Sequence, residues 1–231
     1  MEQAAIYRDH AVEYDALVSA EDCDGNLVPA IASVARIDGA FVVDVGTGTG
    51  RVARLLLHRA RRIVGVEPQE AMLAVARSRL GDAVELHLAS ADALPLDDAV
   101  ADVAIAGWVF GHFRHWMPAR WKDDVARALG EMSRVVGPGG TLVVIETLGT
   151  GRTESDGPAP PNAALAEYYA WLETEHGFKR AAIRTDYSFS DVETAARVCG
   201  FFFGDAMART IRERGSSRVV EYTGVWSRRR V

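Results

Sequence analysis

An α/β chain built on a mostly parallel sheet is the fold class this sequence predicts, and three observations predict it. The run Phe41-Val42-Val43-Asp44-Val45 is apolar apart from one acid, as expected of a strand buried on both faces. Three glycines at alternate positions, Gly46, Gly48 and Gly50, follow at once, and an apolar-periodic helix begins at about Arg51. Apolar runs then alternate with helical periods, the order that gives parallel strands joined by right-handed crossovers with helices on both faces. A length of 231 residues suits one such domain, or one domain with a cap.

The elements follow in order. Residues 4–18 read as a helix, with Ile6, Ala11, Tyr14, Leu17 and Val18 spaced for one face. Gly25-Asn26 marks a turn, and a second helix covers about 27–35. A strand at 40–45 leads to a helix at 51–59, and a strand at 62–66 to a helix at 70–80 with Met72, Leu73, Ala76 and Leu80 on one side. A strand at 84–88 precedes a loop, and a strand at 100–106 leads to a helix around 119–136. Gly137-Pro138-Gly139-Gly140 is a strong breaker, after which 141–146 forms the fifth strand. The Gly- and Pro-rich stretch 148–161 reads as loop, and 162–176 as an amphipathic insert carrying Tyr168, Tyr169 and Trp171. Residues 190–199 form the last helix, 201–211 mix strand and helix, and 218–226 form a strand with Val219, Val220, Tyr222 and Val225.

Bulk properties exclude several function classes. No apolar run approaches the roughly 20 residues that span a bilayer. The first fifteen residues carry acids and no apolar core, so no export signal is expected and the cytoplasm is the expected location. Cys23 and Cys199 give neither a disulfide framework nor metal-ligand spacing, so no metal is expected. A net charge of −6 argues against nucleic acid as a partner, and Arg228-Arg229-Arg230 reads as a solvated end. Monomer and homodimer both remain open.

The glycine spacing separates the nucleotide-type readings. A dinucleotide fingerprint G-x-G-x-x-G counted from Gly46 needs glycine where Arg51 stands; counted from Gly48, it needs glycine where Ala53 stands. A phosphate-binding P-loop is excluded because no G-K-[ST] follows. The run Asp44-Val45-Gly46-Thr47-Gly48-Thr49-Gly50 instead resembles motif I of the class I S-adenosylmethionine-dependent methyltransferases. Gly65–Leu73 resembles the family's motif II, Ala89–Pro95 its motif III, and Glu131–Gly140 the motif after the fourth strand. The resemblance spans about 41–146, with the four motifs in family order. It implies a Rossmann-like seven-stranded sheet with an antiparallel last strand and a small helical lid. The implied division is an N-terminal helical lid at 1–38 and a cofactor domain at 39–231 with a helical insert at about 158–178.

Glu67 ends the second strand about 20 residues beyond the glycines, where open α/β sheets place the acid that receives a ribose diol. Asp92 resembles the family's adenine-binding acid, and Ala91 and Ala93 leave room for a flat base. The cofactor set implied is Asp44, Gly46, Thr47, Gly48, Gly50, Glu67, Pro68, Met72, Ala91, Asp92, Ala93, Gly107 and Trp108, around S-adenosylmethionine with S-adenosylhomocysteine as product. The segment Trp108–Trp116 lacks both the [DN]-P-P-[YFW] of DNA amino-methyltransferases and the carboxylate of metal-dependent catechol-type enzymes. The cofactor half is nearest to quinone-biosynthesis-type C- and O-methyltransferases. The expected reaction is methyl transfer to a small, apolar or aromatic molecule. A non-catalytic cofactor-binding module and a carboxymethyl- or aminopropyl-type transferase on the same fold are the alternatives, and a dehydrogenase-type enzyme is disfavoured by the missing glycine. The expected acceptor pocket is Tyr7, Tyr14, Trp108, His112, Tyr168 and Tyr187, with Phe110, Trp116, Tyr169 and Trp171 as further rings, at least half of them simply packing. His112 is the candidate base if the acceptor is a hydroxyl, because imidazoles titrate near neutral pH, whereas His115 reads as an exposed residue.

Overall fold

The computed structural model describes residues 9–153 and 155–231, with the backbone alone at residue 115. Strand β1 (Phe41–Val45) is buried along its whole length because it is apolar on both faces. Phe41, Val43 and Val45 point into one core and Val42 into another, the alternation a pleated strand imposes. It pairs in parallel with β2 (Arg62–Glu67) on one side and β4 (Ala101–Gly107) on the other. β3 (Glu85–Leu88) extends the sheet beyond β2, and β5 (Val136–Thr150) lies beside β4. β9 (Glu221–Arg229) runs antiparallel between β5 and β6 (Lys179–Arg184), giving the order β3-β2-β1-β4-β5-β9-β6. This is the seven-stranded, mostly parallel sheet expected, with the last strand antiparallel. A two-stranded ribbon, β7 (Tyr187–Ser188) with β8 (Arg218–Val219), lies outside it.

Helices cover both faces. α2 (Leu27–Val34), α3 (Arg51–Leu56) and α4 (Glu70–Leu80) bury Leu27, Ile31, Leu56 and Ala76 against Val42, Ile63 and Ile105. α6 (Trp121–Val135) and α7 (Ala163–Thr174) bury Val125, Leu129, Tyr168 and Leu172 against Val43, Val64 and Val144. α7 starts where Asn162 Oδ1 accepts the Leu165 N–H at 2.9 Å, an N-cap that satisfies one of the helix's orphan donors. A third apolar cluster joins α1 (Ala11–Ala20) to α8 (Val192–Phe203) and α9 (Asp205–Arg214) through Leu17, Cys199 and Ile211. The first part of the expected N-terminal helix, and Tyr7 with it, lies outside the described residues.

The structure corrects the sequence reading at four places. The Gly137–Gly140 breaker is a bulge inside β5: Ala101 pairs with Val136 and Val103 with Thr141, so six residues of β5 face three of β4. Residues 201–211 contain no strand; Gly204, at φ +91°, ends α8 and begins α9. The helix at 190–199 is therefore not the last. α5 (Phe110–Trp116) is a helix where none was expected, and its N-terminus is held by the distant Glu146, which accepts the Gly111 N–H at 2.8 Å. β6 was not placed at all: Lys179, Arg180 and the following two alanines are exposed, so this edge strand lacks a buried alternation.

Candidate active site

The parallel strands bring their C-terminal ends to one edge, where ligands of open α/β sheets bind. Gly46, Gly48 and Gly50 all take positive φ there, at +67°, +57° and +87°. A Cβ on Gly46 would lie 2.5 Å from Val109 Cγ2, so glycine is needed for space as well as conformation. Asp44 is 1% exposed and its Oδ2 accepts from Thr47 Oγ1 at 2.6 Å and Ala53 N at 3.1 Å. It ties the glycine loop to α3, and burial pushes its carboxyl up to about 6. Glu67 Oε2 accepts the Gly48 N–H and Oε1 the Gln69 N–H, both at 3.0 Å. Burial raises its pKa and these two bonds oppose the rise. Each oxygen accepts from a backbone donor and has further acceptor capacity, which suits a diol.

Met72 is buried, its Cε 3.5 Å from where a Cβ of Gly48 would stand. Pro68 is exposed beside Glu67. On the loop after β3, Ala91 is buried while Asp92 and Ala93 are exposed. Asp92 Oδ1 accepts from Ser90 Oγ at 2.5 Å and Oδ2 lies 3.8 Å from Arg127 Nε. At the end of β4, Gly107 admits Val52 of α3, whose Cγ2 would be 3.1 Å from an added Cβ. Trp108 follows at φ +56°, a conformation rare for a bulky residue, and donates its N–H to Ile145 O at 2.6 Å. The Arg51 guanidinium carbon sits 3.9 Å from the Trp108 ring centroid. This edge offers a glycine loop at a helix N-terminus, an anchored acid and an apolar floor, all of which fit a nucleoside carrying an amino-acid end.

A cavity of about 720 Å³ opens beside this edge. Leu17 and Val18 of α1, Phe202 and Phe203 of α8, Met207 of α9 and Leu165 of α7 supply its apolar wall. The lining also carries Glu21, Arg51, Glu146, Thr147 and Glu221. Glu146 is 4% exposed and accepts the Gly111 N–H, with Tyr168 Oη donating to it at 3.4 Å. Burial without a cationic neighbour pushes its carboxyl up to about 8. Glu21 Oε2 pairs with Arg51 Nη1 at 2.7 Å, and Glu221 Oε1 accepts from Thr147 Oγ1 at 2.5 Å. Burial raises the Glu221 carboxyl as well, and Glu21 adds to the rise.

Of the expected acceptor residues, Tyr14, Trp108, His112 and Tyr187 line the cavity. Tyr168 does not: it is fully buried behind Glu146 and packs edge-on to Trp121. Phe110, Tyr169 and Trp171 are buried in the sheet's helical layer, and Trp116 is exposed. The His112 ring stacks on Trp116, centroids 4.9 Å apart. Tyr7 and the His115 side chain lie outside the described residues. The sequence reading missed Glu21, Arg51, Glu146 and Glu221. Glu146 had a signal, an acid closing the apolar run Leu142–Ile145; the others are recognisable only once distant segments meet.

Comparison with known proteins agrees with this geometry. Residues 43–144 match a family model described as a methyltransferase domain. An uncharacterized methyltransferase of Mycobacterium tuberculosis is 36% identical over 104 residues, 45% of this chain and 38% of that protein. Demethylmenaquinone methyltransferase of Thermus thermophilus is 34% identical over 133 residues, 55% of this chain and 52% of that protein. The chain spans about half the length, or less, of these curated relatives. Among solved structures, a putative type II methyltransferase from Anaeromyxobacter dehalogenans superimposes with a TM-score of 0.60 at 20% identity, covering 89% of this chain and 96% of that one, which shows the shared fold. The segment from Val43 to Val144 is therefore similar to a methyltransferase domain, on a fold shared with solved methyltransferase structures.

Proposed function

We propose that the protein transfers a methyl group from S-adenosylmethionine to a small molecule held in the cavity. The observation that carries the reading is continuity: Arg51, next to Gly50 of the glycine loop, and Trp108, at the end of β4, both line the cavity. S-adenosylmethionine, when bound, supplies a methyl group already activated on sulfur. The chain then has to bind and orient. Glu67 receives the ribose hydroxyls, Asp92 with Ala91 and Ala93 the adenine, and the glycine loop at the α3 N-terminus the amino-acid end. Asp44, Thr47, Pro68, Met72 and Gly107 shape that site. The cavity places the acceptor beside it, so proximity and orientation supply most of the rate. Tyr14, Trp108 and Tyr187 are its aromatic walls, and His112 takes the proton when the acceptor is a hydroxyl. α1 belongs to the lid and α7 to the insert that cover the site.

The reading includes a metal-free reaction in the cytoplasm with no nucleic-acid partner. Relatives named for quinone-type and acyl-carrier-protein methylation support a non-nucleic-acid acceptor. Calorimetric titration tests it. S-adenosylmethionine and S-adenosylhomocysteine should bind at micromolar concentration and NAD not detectably. Tight NAD binding without heat from S-adenosylmethionine would reject the reading, and activity lost to a chelator and restored by magnesium would reject its metal-free part.

A further inference from the structure

The cavity holds more acid than its cations balance. Three carboxyls face it, Glu21, Glu146 and Glu221, with two guanidiniums, Arg51 and Arg114. Each guanidinium has one ion pair, Arg51 Nη1 with Glu21 at 2.7 Å and Arg114 Nη2 with Glu167 at 2.8 Å, while Arg51 Nη2 and Arg114 Nε have no hydrogen-bond partner among the described residues. Glu146 is held by the N-terminus of α5, which accounts for its place in the fold. Glu221 has no such account. It is 1% exposed, its Oε1 accepts from Thr147 and the Thr150 hydroxyl lies close to the carboxyl, but Oε2 meets no donor in hydrogen-bonding geometry among the described residues. An unpaired buried carboxyl oxygen costs free energy that a hydrophobic residue would not. Leu17, Phe202 and Phe203 line the same cavity, so a ligand that fills it meets polar and apolar surface together.

We propose that the acceptor carries a protonated amine on a small apolar body, and that Glu221 receives the ammonium while the apolar wall receives the body. This rests on the methyltransferase reading and deepens it; it assigns the anchoring group and leaves open which atom is methylated. An ammonium would satisfy Glu221 Oε2 with a charge-assisted bond. A hydroxyl would satisfy that oxygen with the weaker bond of a neutral donor, and an acceptor without a donor would leave it unsatisfied.

The test uses the full-length protein saturated with S-adenosylhomocysteine and three matched probes near neutral pH: phenethylamine, phenethyl alcohol and phenylacetate. By calorimetry the amine should bind at least about tenfold more tightly than the alcohol, and phenylacetate more weakly than either. Glu221→Gln should cut the amine's affinity by about tenfold or more and leave the alcohol within about threefold. The amide is nearly isosteric with the carboxyl, and unchanged S-adenosylhomocysteine affinity certifies the variant's fold. Glu221→Asp, which retracts the carboxylate, gives the same test if the amide does not fold. Alcohol or phenylacetate matching the amine, an amine preference that survives the substitution, or no binding by any probe would overturn the proposal. A Glu221→Gln variant that instead loses discrimination between S-adenosylmethionine and S-adenosylhomocysteine would put the carboxyl against the sulfonium and also overturn it. Failure of S-adenosylhomocysteine to bind at all breaks the methyltransferase reading separately, and the probe preference can then be read on the free protein.

Discussion

The two halves of the site handle buried acids in opposite ways. At the cofactor edge, Glu67 accepts from the backbone of Gln69 and Gly48, 2 and 19 residues away. In the cavity, Glu146 accepts from Gly111, 35 residues away, Glu221 from Thr147, 74 away, and Glu21 from Thr185, 164 away. The first arrangement is assembled by neighbouring loops and presents mainly backbone. The second is assembled by α1, α5, β5 and β9 and presents side chains. A glycine loop has geometry but no protonation state; the cavity wall has both.

The largest expected effect breaks the comparison most directly. With a hydroxyl acceptor, His112→Ala should lower the methyl-transfer rate by about 10²–10⁴ while leaving S-adenosylmethionine affinity within about threefold. Transfer of a radiolabelled methyl group, measured beside calorimetry, reads both quantities. An unchanged rate would remove His112 from the chemistry, and a parallel loss of cofactor affinity would mean that the two halves are not independent.

The next two predictions concern the cofactor edge. Gly46→Ala should destabilise the protein by about 2–4 kcal/mol, the sum of a left-handed alanine and a contact with Val109 that has no room. Thermal unfolding measures it, and an unchanged midpoint would show that the loop relaxes freely. Glu67→Ala should weaken S-adenosylmethionine by about 1.5–3 kcal/mol, and Asp92→Ala by less, because Asp92 is exposed and expects one bond from an amine. Wild-type affinity in the Glu67 variant would place the ribose elsewhere.

This contrast also explains what was legible in the sequence. β1, the glycine loop and Glu67 sit within 27 residues of each other, and their pattern is local: an all-apolar strand, alternate glycines, an acid at the next strand end. α4 was legible to its last residue because Leu73, Ala76 and Leu80 repeat at helical spacing against the sheet. α5 was not, because its start depends on Glu146 from another strand. Residues Phe201, Phe202 and Phe203 carry strand propensity yet close a helix, since packing against α1 and α9 outweighs it. Tyr168 was read into the pocket because an aromatic residue on an insert has no local mark of which way it faces. The acids of the cavity wall were hidden for the same reason: a buried carboxyl is defined by its neighbours, and theirs come from across the chain.

The last prediction concerns charge and sharpens the comparison. Burial holds the Glu146 carboxyl up to about 8 in the folded protein, against an ordinary value of 4.5. Between those values the folded protein keeps a proton that the unfolded chain has lost. Stability must then fall as pH rises through that window, with a slope of up to about 1.4 kcal/mol per pH unit for one proton, and level off above it. Glu146→Gln cannot titrate and still offers an oxygen to the Gly111 N–H, so it should lose that part of the slope. The variant should match the wild type near pH 5 and exceed it in stability by pH 8. Glu67→Gln repeats the measurement at the cofactor edge, where burial also raises the carboxyl against bonds from Gln69 and Gly48, so its pH slope should change in the same sense. Denaturant unfolding at four or five pH values measures both, and equal slopes in the wild type and the Glu146 variant would mean that the cavity wall carries its carboxyl ionised.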